Sequence, residues 1–358
     1  MPLTAALDSP APVSPPLPAS APTVPRREGV LATQLALRRA GVQRLHLRWR
    51  LIGAEGAPVH AVLGGISATR HVAAVAEDEP AGWWQAQVGP GRPFDLAHCR
   101  VLSFDWVGRD GSLDAPIATQ DQADALAVLL DHLGLERLAS VVGSSYGAMV
   151  ALAFAERYPA LVERLVLISG GERADPYAAA WRALQRKVLD LGQDRPEAVA
   201  LARQFAMLSY RTPEEFAQRF EAEPRWQGGR LRCAAEDYLE AAGARFAAVF
   251  SPIAFRRLSE SIDQHRVDPA RIRTPATVIG VEEDRLVPLQ SLRRLALALG
   301  GPAEFAVIRS LYGHDAFLKE PEQIARLLSR ALAPQAGTAT PPPAPHPSPL
   351  LSPPKAPA

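Results

Sequence analysis

Leu138-Ala139-Ser140-Val141-Val142-Gly143-Ser144-Ser145-Tyr146-Gly147-Ala148-Met149-Val150 is the stretch on which the reading of this chain turns. An apolar run enters the Gly-Ser-Ser-Tyr-Gly segment and an alanine-rich run of helical character leaves it, which is the pattern of a strand, a sharp turn and a helix. Such a turn forces its central residue into a strained backbone conformation. Side chains at the flanking positions would collide there, and the glycines at 143 and 147 avoid this. Ser145 is therefore expected to stand exposed at the carboxyl edge of a sheet as a nucleophile.

Outward from this turn, strands and helices alternate. Val59–Ser67 and Arg100–Asp105 read as strands before it, with a helix over Ala118–Leu133, and Arg164–Ser169 reads as a strand after it. The runs are almost continuously apolar, as expected for a mostly parallel sheet with helices on both faces. Arg44–Leu51 alternates polar and apolar residues, which predicts a strand with one solvated face at a sheet edge. From about 175 to 264 only helical segments are expected, broken by Pro213, Pro224 and Pro252 and long enough to form a lid over the sheet. The alternation resumes with strands at Ala276–Val281 and Glu304–Ile308 and helices at Leu289–Leu299 and Glu320–Leu332. Residues 27–334 thus read as one domain, between Pro- and Ala-rich tails (1–26 and 335–358) that carry too little apolar surface to offset the entropy of ordering.

The 358 residues, 47% of them apolar, suffice for a core that can bury an active site. A net charge of +1 without a dense Lys/Arg cluster argues against nucleic acid or an anionic membrane as partner and favours a small molecule. No apolar run reaches the length of a membrane span, and the N-terminus lacks the pattern of a secretory signal, so a cytoplasmic location is expected. Cys99 and Cys233 show neither a metal-ligand spacing nor a redox-pair spacing, so no bound metal is expected.

A serine hydroxyl needs a base to take its proton and a third group to hold that base. In the strand–turn–helix arrangement the order is Ser, then Asp or Glu, then His. Glu282-Glu283-Asp284 follows one resumed strand and Gly313-His314-Asp315 follows the next. His314 is the base this predicts. Asp284, closest to the turn before Leu286-Val287-Pro288, is the favoured orienting carboxylate. The oxyanion donors expected are the backbone N–H groups of Tyr146, after the nucleophile, and of Ile66, after Gly64-Gly65.

Ala68-Thr69-Arg70-His71-Val72-Ala73, Gly82-Trp83-Trp84 with Val88-Gly89-Pro90-Gly91, Asp284-Arg285-Leu286-Val287-Pro288 and Gly313-His314-Asp315-Ala316-Phe317-Leu318 together resemble the homoserine O-acyltransferase family, enzymes of the α/β-hydrolase fold. Arg245-Phe246 with Phe250, and the segment from Leu258-Ser259 to Ile262-Asp263, add to the likeness. The resemblance implies acyl transfer from acyl-CoA, as co-substrate rather than resident cofactor, to the hydroxyl of L-homoserine in methionine biosynthesis, and a homodimer. It implies that Arg186 grips the homoserine carboxylate and that Asp315 holds its amino group. The loop Asp105-Trp106-Val107-Gly108-Arg109-Asp110-Gly111-Ser112 is shorter than is usual in the family, and Arg70 replaces a small hydroxyl residue. Arg70 and Arg109 are therefore candidates to pair with the free carboxylate of a succinyl group, which favours succinyl over acetyl as cargo. An esterase or thioesterase using water, an acyltransferase acting on serine, and a catalytically silent relative are the alternatives.

Overall fold

Alternating apolar residues build a long antiparallel hairpin from β1 (Arg26–Leu37) and β2 (Gly41–Gly53). The computed structural model describes residues 24–333 except Ala222, so the tail expectations for 1–23 and 335–358 lie outside the described residues. Arg26 already opens β1, a strand that the sequence reading did not anticipate, and β1 rather than β2 forms the sheet edge. The expected alternation holds along the first part of β2, but Trp49, Arg50, Leu51 and Ile52 are all buried where β2 continues into the sheet.

After the hairpin come β3 (Val59–Leu63), β4 (Arg100–Phe104), α1 (Thr119–Leu133), β5 (Ser140–Ser144), α2 (Tyr146–Arg157) and β6 (Leu165–Ile168). The lid comprises α3 (Pro176–Leu191), α4 (Pro196–Tyr210), α5 (Pro213–Arg219), β7 (Arg225–Gln227), β8 (Arg230–Arg232), α6 (Ala234–Ala247) and α7 (Pro252–Asp263). The chain then returns to the sheet with β9 (Ala276–Val281), α8 (Leu289–Ala298), β10 (Ala303–Ile308), α9 (Ala316–Lys319) and α10 (Pro321–Leu332). The eight-stranded sheet runs β1-β2-β4-β3-β5-β6-β9-β10, parallel from β4 to β10. β5 is fully buried near its middle, so the turn after it opens at the centre of the carboxyl edge.

Each sheet face has its own apolar core. Leu126, Phe154 and Leu292, from α1, α2 and α8, belong to one; Trp84, Phe94, Ile324 and Leu328 belong to the other. Three of the lid helices, α3, α5 and α7, start where a polar cap precedes proline. Asp175, Thr212 and Ser251 each accept hydrogen bonds from first-turn N–H groups just before Pro176, Pro213 and Pro252. Two of the expected breaks are thus helix starts, while Pro224 precedes the short β7–β8 hairpin, a strand pair inside a segment expected to be all helical.

Candidate active site

Ser145 joins β5 to α2 with φ 56° and ψ −118°, a conformation that costs a non-glycine residue about 1–3 kcal/mol. Its surroundings impose that conformation. Ser145 N–H donates to the Ile168 carbonyl of β6 at 2.8 Å, and Gly147 N–H to the Gly64 carbonyl beyond β3 at 2.9 Å. A Cβ at Gly143 would lie 2.3 Å from the Gly147 carbonyl oxygen, and one at Gly147 would lie 2.1 Å from that of Leu63. Only glycine lets the turn close between its two neighbouring strands.

The loops after β9 and β10 bring the predicted partners to this serine. His314 Nε2 lies 2.8 Å from Ser145 Oγ, and Nδ1 lies 2.7 Å from Asp284 Oδ2. With Nδ1–H donating to the carboxylate, Nε2 is the acceptor for the serine hydroxyl. The other oxygen, Asp284 Oδ1, accepts from the N–H groups of Leu286 (2.9 Å) and Val287 (3.0 Å), so the carboxylate is buried and fully satisfied. Its two acidic neighbours are occupied elsewhere. Glu282 pairs with exposed Arg309, and Glu283 accepts from Ser310 N–H. Burial alone lowers the His314 pKa, but the Asp284 charge and hydrogen bond, with the Asp315 charge, more than reverse this, while Arg182 opposes them. The net shift is upward.

The N–H groups of Tyr146 and Ile66 make no hydrogen bond among the described residues, and both residues line the cavity that holds Ser145. The Tyr146 side chain is anchored in the core, its hydroxyl 2.7 Å from Ser261 Oγ and its ring edge-on to Trp106. Trp106 Nε1 donates to the Gly65 carbonyl at 3.0 Å, which fixes the Gly64–Ser67 loop against the serine. Trp83 and Trp84 stack on each other and donate to the Thr69 and Phe317 carbonyls, and Trp83 also lines the cavity.

The cavity, of about 610 Å³, has Ser145 and His314 on its floor and the lid as its roof. Asp315 lines it, but its Oδ2 accepts from Nε of buried Arg211 at 2.8 Å, and Arg211 Nη1 lies 3.2 Å from Glu215. The residue expected to meet an ammonium group is therefore already paired with a cation at the end of α4. Arg186 departs further from expectation. Its Nη1 donates to Ser259 Oγ at 2.7 Å and pairs with Asp263 Oδ2 at 2.7 Å, and it does not line the cavity; Arg182, one turn earlier on α3, does. The sequence match falls on Arg186, and Arg182 lies four residues before it on the same helix face. Arg70 and Arg109 do not line the cavity either. Arg70 is held by Asp105 through Nη1 (2.7 Å) and its own N–H (2.8 Å), and Arg109 lies over the Phe250 ring at 5.4 Å.

Sequence reasoning missed Ser169, Arg182, Arg203 and Arg211. Ser169, at the end of β6, has φ 49° and lines the cavity, a strand-end position that could have been noticed. Arg203 and Arg211 carry no local signal, and Arg182 lies inside the segment whose match falls on Arg186. Among the described residues no group of three or more His, Cys, Asp or Glu is placed to hold a metal ion, and no helix is long and apolar enough to cross a membrane.

The sequence pattern of the alpha/beta hydrolase fold family matches residues 65–321. The chain is 55% identical over 311 residues to a homoserine O-succinyltransferase of Xanthomonas campestris pv. campestris, covering 86% of this chain and 84% of that protein. It is 33% identical to a homoserine O-acetyltransferase of Thermus thermophilus over 90% of this chain and 94% of that protein. Among solved structures, a homoserine O-acetyltransferase from Bacillus anthracis superposes with a TM-score of 0.79 at 16% identity, covering 89% of this chain and all (100%) of that one.

Proposed function

We propose, for a chain that belongs to the homoserine O-acyltransferase family of the α/β-hydrolase fold, that Ser145 carries an acyl group from acyl-CoA to the side-chain hydroxyl of L-homoserine, in the route to methionine, with succinyl preferred over acetyl. The observation that carries this reading is the Asp284–His314–Ser145 hydrogen-bond chain opening into a cavity roofed by arginines, a setting suited to a charged amino-acid acceptor. The succinyl preference rests on the relative that shares 55% identity and is named for that reaction.

In the first half-reaction His314 Nε2 takes the Ser145 proton as Oγ attacks the thioester carbonyl. The developing oxyanion is met by the N–H groups of Tyr146 and Ile66. The C–S bond breaks, and the coenzyme A sulfur leaves with the proton from His314. In the second, His314 takes the proton of the homoserine hydroxyl, whose oxygen attacks the acyl-serine carbonyl. The ester bond to Ser145 breaks, and the proton passes from His314 to the serine oxygen.

The test is a steady-state assay with L-homoserine and either succinyl-CoA or acetyl-CoA, with products identified by mass spectrometry. O-succinylhomoserine and parallel double-reciprocal lines are expected, with activity lost in Ser145→Ala. Intersecting lines would rule out the acyl-serine route, equal or better use of acetyl-CoA would rule out the succinyl preference, and hydrolysis outpacing transfer would make the protein an esterase. Faster transfer to L-serine would reassign the acceptor.

A further inference from the structure

We infer that Arg50 and Asp105 are positioning residues, which clamp the loop that carries the Ile66 N–H, through His71 and Arg70, and so set that donor over Ser145. The inference rests on the acyl-serine reading for the reaction in which the donor acts. Between β3 and β4 the chain runs from Gly64 to Cys99 with no strand and a single turn of 3-10 helix at Gln85–Gln87. A segment without its own ladder needs other ties to hold a backbone donor in place. Before Ile66 these ties are the Gly64 and Gly65 carbonyls, which accept from Gly147 N–H and Trp106 Nε1. After Ile66 the loop is fixed by charged side chains from the sheet.

Arg50 lies on β2 between buried Trp49 and Leu51 and is only 2% exposed, a place where an apolar side chain would need no partners. All three of its side-chain hydrogen bonds go to the loop. Nη1 lies 2.8 Å from His71 Nδ1, and Nη2 donates to Glu79 Oε1 and Oε2 at 2.8 and 2.7 Å. Because a guanidinium can only donate, His71 Nδ1 accepts and the ring is the neutral Nε2–H tautomer. Burial and the charges of Arg70 and Arg50 lower the His71 pKa, against Asp105 and Glu28, which favours that neutral form. Glu79 in turn accepts from Val75 N–H at 2.9 Å and pairs with Arg26. One residue before His71, the carboxylate of Asp105, just after β4, accepts from both the N–H and the Nη1 of Arg70, at 2.8 and 2.7 Å. Adjacent loop residues are thus held by opposite charges from two strands. Asp105 also precedes Trp106, so one short segment grips the loop on both sides of Ile66.

Four variants test the clamp. His71→Leu removes the acceptor for Arg50, while His71→Asn keeps an amide oxygen near the place of Nδ1. Asp105→Ala removes both contacts to Arg70, while Asp105→Asn keeps one acceptor. Two readouts report the donor: kcat/KM for hydrolysis of p-nitrophenyl acetate, and the inhibition constant of phenylboronic acid, whose adduct with Ser145 Oγ puts a boron-bound oxygen in the oxyanion position. In His71→Leu and Asp105→Ala, kcat/KM should fall on the order of tenfold and the inhibition constant should rise by about the same factor. The asparagine variants should recover most of both. Calorimetric binding of coenzyme A, which forms no oxyanion, should be unchanged. Lower thermal stability with both readouts within about 3-fold of wild type would make the clamp merely structural and overturn the inference. So would a fall in kcat/KM at an unchanged inhibition constant, or asparagine variants no better than the leucine and alanine ones. If His71→Leu does not fold, the Asp105 pair carries the test alone. If the wild type transfers no acyl group to L-homoserine, yet ester hydrolysis and boronate binding weaken together in the variants, the acyltransferase reading falls and the clamp stands. A wild type that neither hydrolyses the ester nor binds the boronate leaves the Ile66 N–H with no oxyanion to meet, and the clamp falls as a positioning device.

Discussion

At the floor of the cavity the hydrogen-bond chain from Ser145 through His314 to Asp284 ends on two backbone N–H groups, with each link satisfied inside the loops that follow strands. The roof is built differently. There Arg182, Arg203 and Arg211 hang from helices, and the Arg182–Arg186 pair has one carboxylate between its two charges. The floor is already organised for one chemistry, because its geometry is fixed by strand ends and short turns. Around Asp263 the roof carries more positive than negative charge, two guanidinium groups sharing one carboxylate. The fixed hydrogen-bond chain and the excess of positive charge thus lie in different layers of the fold.

Breaking the floor should have the largest effect. In Asp284→Asn the side-chain oxygen can still accept from Leu286 and Val287, so the loop should keep its shape, but the group facing Nδ1–H of His314 is no longer a charged acceptor. A fall in kcat on the order of 10³–10⁴ is expected, with little change in thermal unfolding. A decrease of less than tenfold in kcat would mean that the orienting carboxylate lies elsewhere, and the distinction between floor and roof would lose its basis.

Cutting the tie between the layers should have an intermediate effect. Arg211 joins the end of α4 to Asp315, beside the catalytic histidine, and the Thr212 hydroxyl donates to the Leu311 carbonyl in the same loop. Arg211→Leu would leave Asp315 and Glu215, 15% and 8% exposed, without this cation, at a cost of about 2–4 kcal/mol in unfolding free energy. Urea denaturation of the variant measures it, and adding Asp315→Asn should restore part of the loss. A wild-type urea midpoint for Arg211→Leu would show that lid and floor are energetically independent.

The same contrast explains what the sequence disclosed. β3, β4, β5, β6 and β9 announce themselves as apolar runs; Ser145 and Asp284 could be placed because each closely follows such a run, and His314 because it comes after the next strand, β10, behind a glycine. Partners fixed by long-range folding could not be read in this way. Asp105 captures Arg70 from 35 residues away, and Arg211 meets Asp315 across 104. Arg182 and Arg186 differ by one helical turn and share Asp263, and only the Ser259 hydrogen bond of Arg186 and the cavity wall at Arg182 distinguish them. The β7–β8 hairpin did carry a local signal, since Gly228 and Gly229 both take positive φ (58° and 76°), as a two-residue turn requires. Its flanking Arg-Trp-Gln and Arg-Leu-Arg segments are too short and polar to read as strands. β1 was hidden by its continuity with a Pro- and Ala-rich leader and by its mixed polar character.

The smallest expected effect links floor and roof through the pH profile. His314 must be neutral to accept the serine proton, so activity falls as pH drops through its pKa. The Asp284 and Asp315 carboxylates raise that pKa against burial and against Arg182, so the acid limb of kcat/KM should lie above the ordinary histidine value of 6.5. The ring touches Asp284, Ser145, Tyr210 and Phe317, and the charges felt at it are those of Asp284, Asp315 and Arg182. Removing a charge from the floor and from the roof should therefore move the limb in opposite directions. Residual activity of Asp284→Asn should titrate at lower pH than wild type, and Arg182→Gln at higher pH. A limb that moves the same way in both variants would mean that the roof does not act on His314 through its charge, because loss of a carboxylate and loss of a guanidinium cannot shift one imidazole in the same direction by electrostatics alone.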